Sequence, residues 1–240
     1  MKRLVARTRT LLRRTARLAV MVPFAAFLSA APFHAALAQT APSGTAESFA
    51  VRGGTAVTCT NSVVSGDVGV ALSTAFTNTG CTIAGNIHAG DVVAAQAYND
   101  FLTAYDALAL TQCDVVLTGT LAGLTLAPGV YCFDAAATLT GQLTLDGPSN
   151  GIWIFKIWTF GTGALTGTSF SVVMANGGQA SNVYWQVAEA ATMTDSVFQG
   201  NILAGAAITI TRGSLVGRAL ANAGVTMTGT NVHGSCASTL

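Results

Sequence analysis

The side chains of this chain with the strongest claim to chemistry are threonines, and the claim rests on spacing. Thr-x-Thr, three residues, an apolar residue, any residue and then Gly occurs five times. The copies are Thr58/Thr60 with Val64 and Gly66, Thr77/Thr79 with Ile83 and Gly85, Thr192/Thr194 with Phe198 and Gly200, Thr209/Thr211 with Leu215 and Gly217, and Thr226/Thr228 with Val232 and Gly234. Neighbouring copies lie 19 residues apart in the first block and 17 in the second. Two degenerate copies, Thr138-Leu139-Thr140 and Ala164-Leu165-Thr166, fill part of the gap. If each Thr-x-Thr is a strand facing outward, the hydroxyls stand about 6.5–7 Å apart along it and about 4.8 Å apart between strands. Such an array can order water, because the branched β-carbon restricts χ1 and holds methyl and hydroxyl in place before any ligand arrives. The same threonines also have a purely structural use, since Thr–Thr cross-strand pairs stabilise a sheet by roughly 0.2–1 kcal/mol each.

Other chemistry is sparse. A polysaccharide lyase or hydrolase site needs paired carboxylates or a calcium cluster with a basic partner. Only Asp67 and Arg218, which share a position after the repeat Gly, suggest a charged pair, and a structural salt bridge is the expected use. No Ser/His/Asp set or phosphate loop is present, so no catalytic residue is assigned. Beyond the N-terminal segment only His88 and His233 remain, and no Cys-x-x-Cys occurs, so neither a metal nor a cofactor is expected. Five cysteines are present: Cys59, Cys81, Cys113, Cys132 and Cys236. A Cys113–Cys132 bridge would tie the end of a helix to the next strand, Cys59–Cys81 is a second candidate, and one cysteine is left over. Trp153, Trp158 and Trp185 could form a sugar-stacking platform, but tryptophans in apolar runs more often pack against a core, and packing is the expectation.

The elements that would hold these residues follow from periodicity. After each repeat Gly a polar and then an apolar residue continue the alternation, as in Asp67-Val68 and Asn201-Ile202. A period of 17 to 19 with short strands and glycine corners describes the turns of a β-solenoid, each burying its apolar face only by stacking on the next. Between the blocks the period changes. Val92, Val93, Ala97, Phe101, Leu102, Tyr105, Leu108 and Leu110 follow a 3.6-residue spacing, predicting one helix over about residues 91–110 with Asp91 near its start. Its apolar stripe needs the flank of the solenoid as cover.

Composition fits this fold and excludes others. The 240 residues are 51% hydrophobic, 9% charged and 8% aromatic, with 26 Gly and 5 Pro. Charge so sparse argues against disorder and against a nucleic-acid partner. Seven of the eleven basic residues lie within the first 17 positions, which leaves four against ten acidic residues elsewhere, a net charge of −6. That basic start, the apolar run Leu18 to Ala31 and the small-x-small Ala36-Leu37-Ala38 read as a secretory signal peptide over 1–38 with cleavage near Ala38. The Arg13-Arg14 pair hints at twin-arginine export. The mature chain is expected to be a secreted monomer without membrane attachment: a short segment 39–48, one domain over 49–236 and a tail 237–240.

Gly66-Asp67-Val68-Gly69-Val70, the helix Ala94-Ala95-Gln96-Ala97-Tyr98-Asn99-Asp100, Leu126-Ala127-Pro128-Gly129-Val130-Tyr131-Cys132-Phe133, Asn182-Val183-Tyr184-Trp185-Gln186-Val187, Gly200-Asn201-Ile202-Leu203-Ala204 and Gly217-Arg218-Ala219-Leu220-Ala221 together resemble the microbial ice-binding (antifreeze) protein family. The resemblance covers about residues 49 to 236. It implies a mainly β fold, a right-handed discontinuous β-solenoid (triangular β-helix) with one long α-helix packed along one face and the N-terminal turns stacked beside the C-terminal ones. It also implies adsorption to ice through one flat outer face, here Thr58, Thr60, Thr77, Thr79, Thr138, Thr140, Thr166, Thr192, Thr194, Thr209, Thr211, Thr226 and Thr228. Binding faces in the family often carry Thr, Ala or Gly, any residue, then Thr or Asn. Thr79-Gly80-Cys81-Thr82 and Thr228-Gly229-Thr230-Asn231 fit, whereas Thr194-Asp195-Ser196-Val197 and Thr211-Arg212-Gly213-Ser214 depart by placing hydrated charges beside the array. Recrystallisation inhibition with modest thermal hysteresis is therefore the expected activity. An extracellular adhesive or structural β-solenoid without ice activity, or a polysaccharide-active enzyme, are the alternatives.

Overall fold

Period-two alternation makes strands of almost everything but one segment, and the strands join in parallel because each turn of chain returns in the same direction. A computed structural model describes residues 44–157 and 163–234. Nine strands form one sheet, in spatial order Ile87–Ala89, Asp67–Val70, Phe49–Gly53, Ala219–Ala221, Asn201–Ala204, Val183–Val187, Trp153–Ile157, Gly129–Phe133 and Val115–Leu117. The second sheet runs Phe76–Thr79, Val57–Thr60, Val225–His233, Ile208–Val216, Ala191–Gln199, Leu165–Ala175, Ala137–Asp146 and Thr125–Leu126. Val63–Ser65 pairs with the far half of Val225–His233 and with Thr82–Ile83.

The order is not the order of the chain. The first strand, Phe49–Gly53, pairs with Ala219–Ala221, and Val57–Thr60 pairs with Val225–His233, so the N-terminal turns stack on the C-terminal ones. From there the chain advances to one end of the stack at Ile87–Ala89, and the helix Val92–Leu110, α1, carries it back to resume at Val115–Leu117 on the opposite end. Nineteen residues at 1.5 Å each give about 28 Å, most of the roughly 38 Å that eight strand spacings require. Asp91 starts α1 by accepting from Ala94 N at 2.8 Å, and at its other end Lys156 Nζ donates to the carbonyls of Ala109 (2.8 Å) and Thr111 (2.6 Å).

Two apolar cores follow. Between the sheets lie Trp153, Phe155, Trp185, Phe170 and Phe198, with Phe155 and Trp185 stacked 3.9 Å apart. Trp153 and Trp185 are wholly buried and donate to the carbonyls of Leu126 and Gln199, so packing is their use; Trp158 falls outside the described residues. The second core lies between α1 and the nine-stranded sheet, where Ala97, Phe101, Ala104 and Leu108 meet Val130, Ile154, Tyr184, Leu203 and Leu220. Arg52 is buried there with its guanidinium 4.8 Å from the Tyr98 ring and 4.3 Å from that of Phe101, donating to Ala221 O; burial pushes its pKa down to about 9. At the repeat corner Gly217 has φ 141°, and a Cβ there would lie 2.0 Å from the carbonyl oxygen of Gly200, so neither conformation nor space admits another residue.

Cys59 is bonded to Cys81 and Cys113 to Cys132, with Cα–Cα distances of 6.1 and 5.9 Å. Cys236 and the segment 1–38 expected to be a signal peptide lie outside the described residues. The suggested Asp67–Arg218 stack does not form directly, because Phe49–Gly53 lies between the two strands. Asp67 accepts from Asn86 N, while Arg218 donates to Glu47 O and to Asn201 Oδ1.

Candidate functional site

The alternation Val57-Thr58-Cys59-Thr60 buries Val57 and Cys59 and turns both threonines outward, and three other copies do the same over Ile208 and Ile210, Val225 and Met227, and Ala191 and Met193, while in the outermost copy Phe76 is half-buried and Asn78 exposed. Parallel pairing then brings the threonines into register. One column reads Thr77, Thr58, Thr226, Thr209, Thr192, Thr166, Thr138. The other reads Thr79, Thr60, Thr228, Thr211, Thr194, Thr168. Thr140 and Thr120 lie at its far end, their hydroxyls 3.1 Å apart. Thr58, Thr60, Thr209, Thr211, Thr192, Thr194 and Thr166 are half-buried, whereas Thr226 and Thr228 within the columns and Thr77, Thr79, Thr138 and Thr168 at their ends are exposed.

The copy Ala164-Leu165-Thr166 expected from sequence would put Thr166 in the second column, two residues out of register. It belongs to the first column, opposite Thr138 and Thr192, and its partner in the second is Thr168. The inward slot between them holds Gly167, not an apolar residue, and an added Cβ would lie 2.7 Å from Met193 Sδ, so the neighbouring methionine fills the space. Thr120 comes from a loop, and no repeat signals it.

After the second threonine the backbone bends. Asn61, Ser169, Asp195 and Arg212 have φ of 47°, 48°, 51° and 57°, and Gly80, Gly141 and Gly229 have 75°, 71° and 60°. Two residues past the threonine the bend is fixed from inside: Ser62 Oγ donates to Thr60 O and Ser196 Oγ to Thr194 O, each at 2.9 Å, and Thr230 Oγ1 donates to Gly213 O at 3.1 Å. Ser62, Ser196 and Thr230 are almost completely buried. Their hydroxyls went unassigned from sequence, although Ser or Thr at that offset in three copies was the available signal.

Beyond the bend the same strands present Ser171, Val197, Ser214, Asn231 and Val63 in successive register, a mixed surface without repetition. The nine-stranded sheet is covered by α1. The threonine columns therefore form the one chemically regular outer surface among the described residues, and no charged side chain stands within them. Asp195 and Arg212 sit at the bend, paired through Nε–Oδ1 at 2.5 Å and Nη2–Oδ2 at 2.7 Å, and the guanidinium holds the Asp195 carboxyl below the usual carboxylate range. No group of three His, Cys, Asp or Glu residues able to hold a metal occurs among the described residues.

The family model described as ice-binding-like matches residues 49–233. An ice-binding protein of Nostoc sp. (strain HG1) is 44% identical over 176 residues, covering 71% of this chain and 64% of that protein, so the chain spans a little under two thirds of its length. Ice-binding protein K3-B1 of Typhula ishikariensis is 31% identical over 194 residues, 70% of this chain and 78% of its own. Among solved structures, the ice-binding protein of the Antarctic ascomycete Antarctomyces psychrotrophicus is similar with a TM-score of 0.74 at 33% identity, over 80% of this chain and 96% of that one. With the family match extending over the whole threonine-bearing region, this chain belongs to the ice-binding-like family.

Proposed function

We propose that this chain is a secreted, non-enzymatic protein that adsorbs to ice through its two threonine columns, as a monomeric right-handed triangular β-solenoid with a signal peptide over 1–38. The observation that carries the reading is the in-register pairing of threonine on threonine from Thr77 to Thr138 and from Thr79 to Thr168, on a sheet surface that nothing else in the described chain covers. Ice offers no strong single contact, so adsorption must sum many weak ones, and stiff side chains repeated at fixed intervals lose little entropy on engagement. The relatives named as ice-binding proteins support the same conclusion. Activity is expected chiefly as recrystallisation inhibition with modest thermal hysteresis. The test replaces Thr209 and Thr211 together by Tyr in the middle of the array. Ice-crystal shaping and recrystallisation inhibition disappear while the circular dichroism spectrum is retained; equal behaviour of wild type, variant and buffer sinks the assignment.

A further inference from the structure

We propose that Asp195 and Arg212 form a self-neutralising edge of the threonine array, and that it is their pairing, not the identity of either residue, that keeps the array competent to hold ordered water. This rests on the ice-adsorption reading. Both residues occupy the left-handed position that directly follows a second-column threonine, Thr194 or Thr211, and they belong to adjacent strands in register. Elsewhere that position carries Gly80, Gly141, Gly229, Asn61 and Ser169, all uncharged and small. Charge enters the bend at two positions only, on neighbouring turns and with opposite sign, and the two side chains meet in a bidentate contact.

The physics favours the pair over either member alone. An isolated exposed charge keeps a tightly oriented hydration shell, and its field falls slowly with distance. A bidentate guanidinium–carboxylate pair satisfies much of its hydrogen bonding internally, and its field falls off faster because the charges cancel. Next to Thr194 and Thr211 that difference decides whether water over the centre of the array answers to the hydroxyls or to a neighbouring ion. The pair also links two turns at the bend, where a lone long side chain would swing over the threonines.

Four variants test this: D195G, R212G, the double D195G/R212G, and the swap D195R/R212D. Glycine already occupies this bend on other turns, so the backbone accepts it. Thermal hysteresis and recrystallisation inhibition are measured at equal concentration, with Tm recorded for each protein. Each single variant is expected to lose about threefold or more, while the double and the swap stay close to wild type, a non-additive cycle. A merely structural link would instead lower Tm and leave the double variant no better than the singles. Singles equal to wild type, or a swap as weak as the singles, overturn the proposal while leaving ice adsorption standing. A wild-type protein without ice activity removes both.

Discussion

At the scale of single residues, the threonine columns depend on groups that are held still. Each outward Thr carries a methyl that restricts its hydroxyl, and the carbonyls of Thr60 and Thr194 are fastened from beneath by Ser62 and Ser196. Replacing Thr192, Thr194, Thr209 and Thr211 by Ser keeps every hydroxyl but frees χ1 and removes four methyls. Recrystallisation inhibition is expected to fall several-fold with an unchanged circular dichroism spectrum, and retention of full activity would mean that hydroxyl number alone matters. Ser196→Ala acts from the inside. It deprives Thr194 O of a donor and Phe170 N of an acceptor in a buried bend, and a loss of about 1–3 kcal/mol in denaturant unfolding is expected.

At the scale of elements, α1 makes the connectivity possible, and its attachments are chemically distinct along its length. Phe101 fills the space under its centre, so Phe101→Ala should cost about 3–5 kcal/mol in chemical denaturation. Two carboxyls hold it as ions. Asp91 is kept below the usual carboxylate range by the N–H of Ala94 and then by His88, and Asp100 by the Thr45 hydroxyl, with further help from Thr45 N and Gln96. Because both are depressed in the folded state, their contribution is complete above the unfolded carboxylate range and is lost as pH falls through the folded values. Tm is therefore expected to stay level from about pH 7 to 5 and to decline below about pH 4, with a shallower decline in Asp100→Asn. The helix was legible in sequence because its 3.6-residue period contrasts with strands on both sides. Five threonine pairs were legible because Thr-x-Thr recurs with an apolar residue and a Gly at fixed offsets after it, even where Asn78 stands between Thr77 and Thr79. Thr168 was hidden by Gly167, whose inward slot is filled by Met193 from the next turn, and Thr120 by its place in a loop. The Asp67–Arg218 pairing was misread because sequence offset gives the column of a residue but not which turn stacks on which.

At the scale of the molecule, the first described strand, Phe49–Gly53, lies in the interior of the stack, so among the described residues both ends of the stack are made by internal segments. Phe76–Thr79, Thr82–Ile83 and Ile87–Ala89 close one end, Val115–Leu117 and Thr125–Leu126 the other, and each such strand has a partner on one side only. Interior turns such as Ala191–Gln199 are held on both sides, and Phe49–Gly53 is held between Asp67–Val70 and a strand about 170 residues away in sequence. The two disulfides stand where pairing is weakest: Cys59–Cys81 ties the Val57–Thr60 turn to the outermost one, and Cys113–Cys132 ties the exit of α1 to Gly129–Phe133. Cross-links closing loops of this size contribute about 3 kcal/mol each through the unfolded chain. Local opening at an end needs far less than global unfolding, so reduction should act locally first. Under reductant, hydrogen exchange is expected to accelerate over residues 76–89 and 115–126 while 183–233 stays protected. Ice activity should fall in part, because Thr77, Thr79 and Thr120 lose their fixed positions and the array shortens from both ends. Uniform acceleration across all strands would show instead that the stack opens as a single cooperative unit, with the bridges stabilising its middle as much as its ends.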